Sequence, residues 1–427
     1  MRCRRVPIVL CVAVAGTAPA APPEKLPLGV SRGLWALSVP EGAVTPERVA
    51  LGEKLFNDTR LSLNDAVACA TCHDPKLAFT DHKPRSEGVG GKEHRTQRNS
   101  PTVVNAMFNA TQFWDGRAPS LEEQAKLPIT NPIEMGMKSL DDVVAKVRAI
   151  PEYREPFRNA FGRAPTIDDV VTAIAAFERT QFSGDAPFDR FLAGDGEAID
   201  ASAKRGWALF NGRGRCNTCH AFGAVSPLFS DQRFHNIGIA AHETDFIALA
   251  RRATGIVRSG DLKQIDELAI ESELTELGRF LVTKHSNDIG AFKTPTLRNV
   301  AATAPYMHDG SLATLWDVMD HYNKGGIPNP NLDGGMQRLG LTEAEIDDMV
   351  AFMASLTSPQ FATLAQTEMR KQRARKHVRP ERDTAAAMGK KGDLGDIAPP
   401  PDPANPAPFG VIVTHETAYA PQAAPKR

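Results

Sequence analysis

Apolar and polar positions along this chain recur mostly with the period of amphipathic helices. Val49, Leu51, Leu55 and Phe56 share one face of a helix that contains Gly52-Glu-Lys-Leu-Phe56. Val170, Val171, Ile174 and Phe177 form a second stripe behind Thr166-Ile-Asp-Asp169. That tetrapeptide reads as a capping box with Asp in place of Glu. Ile346, Met349, Val350 and Met353 form a third stripe behind the capping box Thr342-Glu-Ala-Glu345. β-Branched runs are few, and stretches of Ala, Leu, Glu, Lys and Arg are many. The predicted class is mainly α.

The pattern repeats. Gly52-Glu-Lys-Leu-Phe56 is echoed by Gly206-Trp-Ala-Leu-Phe210, and each half closes on one of the capped helices. Two tandem units of one plan follow, at 45–190 and 195–357. The join lies near Ser183–Ile199, where Gly184, Gly194 and Gly196 cluster with Asp185 and Asp195. Before the first unit, 21–44 reads as a linker. After the second, 358–427 is a largely irregular tail, basic from Met369 to Arg382 and Pro-rich from Pro399 to Pro408. The basic run reads as a solvated face, with a docking patch for an acidic partner as the alternative. Val411-Ile-Val413 is a candidate short strand.

Composition narrows the function. With 427 residues, 42% of them hydrophobic, the chain has room for two or three proper cores. A formal net charge of -1 argues against nucleic acid as a partner. Arg2, Arg4 and Arg5, the apolar stretch Val6 to Ala15, and Ala18-Pro19-Ala20 make residues 1–20 a secretory signal peptide. Leu10 before Cys11 makes a poor lipoprotein site. No later stretch is long and apolar enough to span a bilayer. The expected location is periplasmic, with no membrane span after signal removal.

Cleavage removes Cys3 and Cys11 and leaves four cysteines in two runs, Cys69-Ala-Thr-Cys72-His73 and Cys216-Asn-Thr-Cys219-His220. Each is a c-type haem attachment pattern. The thiols bind the haem vinyl groups, and the adjacent imidazole becomes an axial iron ligand. A zinc ribbon needs its pairs roughly 15–20 residues apart, and these are much further apart. A thioredoxin-like pair needs a strand–helix context that is missing, and disulfides need no histidine. Two covalently bound c-type haems are therefore expected, with His73 and His220 on the irons. Helix, haem motif, long loop and closing helix make each unit cytochrome c-like.

Further fragments appear in order. They are Arg98-Asn-Ser-Pro-Thr102, Phe113-Trp-Asp-Gly-Arg117, Leu121-Glu-Glu-Gln124 and Asn131-Pro-Ile-Glu-Met135, then Phe234-His-Asn-Ile-Gly238, Phe292-Lys-Thr-Pro-Thr-Leu-Arg-Asn299 and Ala304-Pro-Tyr-Met-His-Asp-Gly310. From about Pro46 to Leu356, apart from an insertion near His242–Ser272, the chain resembles the bacterial di-haem cytochrome c peroxidase family, which includes the MauG-type enzymes. The resemblance implies that Trp114 lies between the haems as an electron relay. It also implies that Glu134 is the acid/base over an open N-terminal haem, with Gln124 as its hydrogen-bonding companion. A calcium ion between the units would be held by Asn99, Thr303 and Pro305, the last two through carbonyls.

Two departures from the common peroxidase pattern carry the most information. Val89, in Ser86-Glu-Gly-Val-Gly-Gly91, occupies the register of the second histidine on the N-terminal haem, and His82 and His94 only flank it. That haem is expected to be five-coordinate or water-bound. Fourteen positions after His308, where such peroxidases carry an axial methionine, stands Tyr322, as in MauG-type enzymes. Met319, Met307 and Met336 are the rival ligands. A hard, anionic phenolate favours the higher oxidation states, whereas a thioether raises the potential.

The resemblance implies an enzyme that uses hydrogen peroxide to form high-valent iron and oxidises a periplasmic partner protein by long-range electron transfer. The alternatives are a conventional peroxidase fed by a small cytochrome c or copper protein, and a non-catalytic electron-transfer cytochrome.

Overall fold

The structure is a computed structural model describing residues 25–223, 228–241, 245–256, 262–270 and 274–374. The signal peptide, the Pro-rich segment and Val411–Val413 lie outside the described residues. In the first half, α1 (Arg32–Ser38) and α2 (Pro46–Phe56) lead to α3 (Cys69–Cys72), a single turn carrying the first thiol pair. Then come α4 (Leu121–Thr130), α5 (Leu140–Ala149), α6 (Arg154–Phe161), α7 (Ile167–Glu178) and α8 (Pro187–Leu192). The second half begins with α9 (Ala201–Asn211) and β1 (Phe234–His235). It continues through α10 (Phe246–Ile256), α11 (Leu262–Ile270), α12 (Phe280–Thr283) and β2 (Phe292–Lys293). Last are α13 (Leu315–Asn323), α14 (Glu343–Ser355) and α15 (Ala362–Ala374). β1 and β2 pair antiparallel, Phe234 opposite Lys293, in the one sheet among the described residues.

Side chains at the helix starts explain where the elements begin. Ser120, Ser139, Thr166, Thr314 and Thr342 each accept the N–H three residues on, satisfying a donor the helix leaves open. Thr166 with Asp169 and Thr342 with Glu345 close the two capping boxes expected from sequence. A third, Thr314 with Asp317, starts the helix that carries Tyr322.

The repeated glycine has a packing reason. A Cβ on Gly52 of α2 would lie 1.8 Å from the Ala173 carbonyl oxygen of α7. One on Gly206 of α9 would lie 2.0 Å from the Asp348 carbonyl oxygen of α14. In both halves the opening helix crosses the closing one backbone to backbone, and only glycine fits. Replacing Gly206 with Ala is expected to force the helices apart and cost about 1–3 kcal/mol. A lower denaturant midpoint for the haem-loaded protein checks this; an unchanged midpoint contradicts the crossing.

One apolar core runs through both halves, from Leu51, Leu55 and Phe56 to Phe352 and Met369. Phe188 of α8 packs edge-on against Trp207 and Phe352, so α8 sits with the second half. Buried Arg298 holds Asp189 of α8 through two bonds of 2.8 and 2.9 Å. A second core belongs to the insertion: Ala250 and Ala253 of α10 and Ile265, Leu268 and Ala269 of α11 gather around Leu277 and Phe280. Trp35 of α1 buries itself against Met107, Phe108 and Leu228 and so ties the N-terminal arm to both halves.

α15 holds the first part of the basic run. Ala365, Glu368, Met369 and Gln372 face inward, while Arg370, Lys371 and Arg373 stay exposed. Gln372 receives the Leu315 N–H at 2.9 Å and donates to the Tyr306 hydroxyl at 3.0 Å. The run is therefore a docked helix with a solvated outer face over its described part.

Candidate functional site

Both haem motifs open onto one cavity of about 400 Å³ between the halves. Its wall includes Cys69, Cys72, His73, Cys216, Cys219 and His220. None of the four thiols is paired in a disulfide. Burial pushes Cys69, Cys72 and Cys216 up to about 12. The apolar surroundings of these three thiols disfavour their charged form. The imidazoles point the other way chemically. His73 Nδ1 lies 3.1 Å from the Phe79 carbonyl oxygen, and His220 Nδ1 lies 2.8 Å from that of Phe229. Burial lowers both pKa values and keeps the rings neutral. With Nδ1–H donating to a carbonyl, Nε2 is left with its lone pair for a metal. Two neutral imidazoles, each beside two thiols outside any disulfide on one cavity wall, fit two covalently attached haems.

Around the first motif stand the residues the sequence pointed to. Glu134 and Gln124 line the cavity, Gln124 on α4 and Glu134 just beyond it. The Glu134 Oε2 is buried with no hydrogen-bond partner. Burial pushes its carboxyl up to about 7; Asp266 adds to the rise, and Arg117 opposes it. Val89 donates its N–H to the Glu134 carbonyl at 2.9 Å, which brings the loop without a histidine against this pocket. His82 is drawn away, its Nε2 2.9 Å from the Ala302 carbonyl. His94 is exposed and outside the cavity wall. The cavity's other described histidines are engaged. His235 contacts Asp333 at 2.6 Å through Nδ1 and Asp231 at 2.9 Å through Nε2, and His308 contacts Glu276 at 3.0 Å.

Trp114 also lines the cavity, and its Nε1 donates to the Asn99 carbonyl at 2.9 Å. The Asn99 N–H in turn donates to the His308 carbonyl at 2.7 Å, a link from the first half to the second. Asn99, Thr303 and Pro305 share this wall. The Asn99 amide nitrogen donates to the Lys83 carbonyl at 2.9 Å, which leaves the amide oxygen as its remaining polar group.

Around the second motif, Tyr322 and Met319 of α13 line the cavity one helical turn apart, and Met307 and Met336 lie on the same wall. The Tyr153 hydroxyl donates to Asp58 at 2.6 Å, and that of Tyr306 to Val300 at 3.1 Å. The Tyr322 hydroxyl has no such partner among the described residues. Burial raises its pKa, and the nearby Cys219 and Cys216 add to the rise.

Several site residues carried no signal of their own in the sequence. Asp115 is buried between Arg98, at 2.6 Å, and Arg117, at 3.1 Å, which hold its carboxyl below the usual range against the effect of burial. All three sit in quoted motifs, yet only their contacts give them a place. Glu178 of α7 lines the wall beside Cys69, and burial pushes it up to about 8. Asp266 comes from the insertion. Among the described residues no helix is long and apolar enough to cross a membrane.

The comparisons with known proteins converge. Residues 46–197 match the family model for di-haem cytochrome c peroxidase, and residues 291–324 match a RoxA-like, cytochrome c-like model. Over 326 residues the chain is 42% identical to the methylamine utilization protein MauG of Methylorubrum extorquens, covering 76% of this chain and 82% of that one. It is 37% identical over 321 residues to the cytochrome c551 peroxidase of Pseudomonas aeruginosa, covering 74% and 80%. The crystal structure of a MauG-like protein associated with microbial copper homeostasis superposes with a TM-score of 0.61 at 30% identity, over 81% of this chain and 95% of that one.

Proposed function

The chain belongs to the di-haem cytochrome c peroxidase family, a haem-dependent oxidoreductase with two c-type haems, and from that premise we propose that it works in the MauG manner. In this reading it acts in the periplasm, takes hydrogen peroxide at an open N-terminal haem held by His73, and oxidises a partner protein by long-range electron transfer. The observation that carries the reading is the Tyr322 hydroxyl, which lines the cavity without the hydrogen-bond partner that Tyr153 and Tyr306 have. A phenol that faces the cavity without such a bond is free to reach a group held there, and Tyr322 would then bind the same haem iron as His220.

When bound, the haem irons supply the two-electron reduction of peroxide and hold the oxidising equivalents. The protein's part is proton handling and electron relay. Glu134, with a pKa near 7, takes a proton from the incoming peroxide and returns it to the departing oxygen. The Gln124 amide offers that pocket a neutral hydrogen bond. Trp114, anchored through its Nε1, relays electrons between the halves. His73 and His220 are held in their metal-binding tautomer by carbonyl contacts.

Resting-state EPR tests this. The all-ferric protein should show one high-spin haem that cyanide converts to low-spin without prior reduction. Two low-spin haems indifferent to cyanide contradict it.

A conventional peroxidase fed by a small cytochrome c or copper protein is the second reading. It is favoured by Met319, buried and on the same wall as Tyr322. The proposal also includes one calcium ion on the Asn99 amide oxygen and the Thr303 and Pro305 carbonyls, an oxygen-only donor set that suits it. Chelation is expected to shift the haem absorption bands, and readdition of calcium to restore them; bands unmoved by exhaustive chelation contradict the site.

A further inference from the structure

The insertion packs into its own core, yet one charged side chain faces the first half. α11 buries Ile265, Leu268 and Ala269 against α10 and the segment from Leu274 to Leu281. Beside them Asp266 is 6% exposed. A buried carboxylate needs partners, and both of its partners border the N-terminal pocket. Asp266 Oδ1 accepts from Arg117 Nε at 3.1 Å and Nη2 at 2.8 Å. Its Oδ2 accepts from the Asn131 amide at 3.3 Å.

Each partner bears on Glu134. Asn131 organises the turn that carries it: the Asn131 side-chain oxygen accepts the Ile133 N–H at 3.1 Å, and its carbonyl accepts the Glu134 N–H at 3.1 Å. Arg117 directs Nη1 to both oxygens of Asp115 at 3.1 Å and gives Nε and Nη2 to Asp266. The guanidinium is thus occupied by two carboxylates, while Glu134 Oε2 stays unpaired. Without Asp266, the released guanidinium nitrogens would be left to the pull of Glu134, with which Arg117 already interacts electrostatically.

We propose that Asp266 is a positioning residue of the peroxide pocket, through which the insertion keeps Arg117 and Asn131 in place and leaves the Glu134 carboxyl free to exchange a proton. The inference rests on the reading of Glu134 as the acid/base. The groups that act electrostatically on Glu134 are Asp266 from α11 and Arg117 from the loop before α4; the Cys69 and Cys72 thiols of α3 also sense it. Asp266 raises the Glu134 pKa and Arg117 lowers it, so loss of the Asp266 charge should lower it twice over.

The test uses the full haem-loaded chain with D266N, D266S, D266E and E134Q. The pH profile of the peroxide reaction and the pH dependence of cyanide affinity for the ferric N-terminal haem are both read, with haem content as the check on folding. The native protein should show an inflection near pH 7 in both. E134Q should abolish it. D266N and D266S should each move it down by about one pH unit, and D266E, which keeps the charge, should leave it in place. A purely structural role lowers rate or haem content without moving the inflection, and that result overturns the inference while Glu134 stands. An inflection that survives in E134Q overturns the Glu134 reading and the inference with it.

Discussion

Replacing Glu134 with Gln is expected to slow the reaction of the ferric protein with peroxide by about two to four orders of magnitude, the range that a positioned acid/base supplies. The amide has nearly the same shape, so the pocket keeps its volume and only the exchangeable proton is lost. The native reaction should also depend on pH in a definite direction. A carboxyl raised to about 7 is protonated below that pH and a carboxylate above it. If the carboxylate starts the reaction by accepting a proton, the rate rises as pH passes through 7 and then levels off. E134Q should be slow and flat across the same range. Stopped-flow absorbance of the haem bands checks both. A variant that reacts at the native rate would favour the plain electron-transfer reading.

Tyr322→Met is the second large effect. Exchanging a phenolate for a thioether removes a negative charge and a hard donor from the iron on His220. The ferrous state then gains relative to the ferric. The reduction potential of the C-terminal haem should rise by more than about 100 mV, a modest part of the span that axial ligands command. Spectroelectrochemistry reads it directly. The variant should also come to need prior reduction before reacting with peroxide, as the conventional reading requires. An unchanged potential would mean that Tyr322 is not a ligand, and attention would pass to Met319 one turn back on α13.

What the sequence made legible follows the range over which each feature is encoded. Both Cys-x-x-Cys-His motifs, the helix caps at Thr166 and Thr342, and the glycine repeat are local patterns, so they could be read from a few neighbouring residues. The repeat of Gly52 and Gly206 stood in the sequence, but the crossing that requires them shows only in the opposing carbonyls of Ala173 and Asp348. Features that join distant segments stayed hidden. The bond from Arg117 to Asp266 spans 149 positions, and nothing in the helical pattern of the insertion marks Asp266 as the residue that turns toward the pocket. His235 looked like part of a motif, but its place between Asp231 and Asp333 depends on a loop almost a hundred residues away. The docking of α15 likewise depends on Gln372 meeting Tyr306 and the start of α13. Charge composition alone pictured that run as solvated, which over its described part, residues 369–374, holds only for the outer face.

MauG-like action is tested most directly by adding one equivalent of hydrogen peroxide to the all-ferric protein, with no prior reduction, and following it by optical and EPR spectroscopy. Immediate reaction is expected, with a long-lived state in which both haems are oxidised above ferric. Silence until the C-terminal haem has been reduced would contradict it.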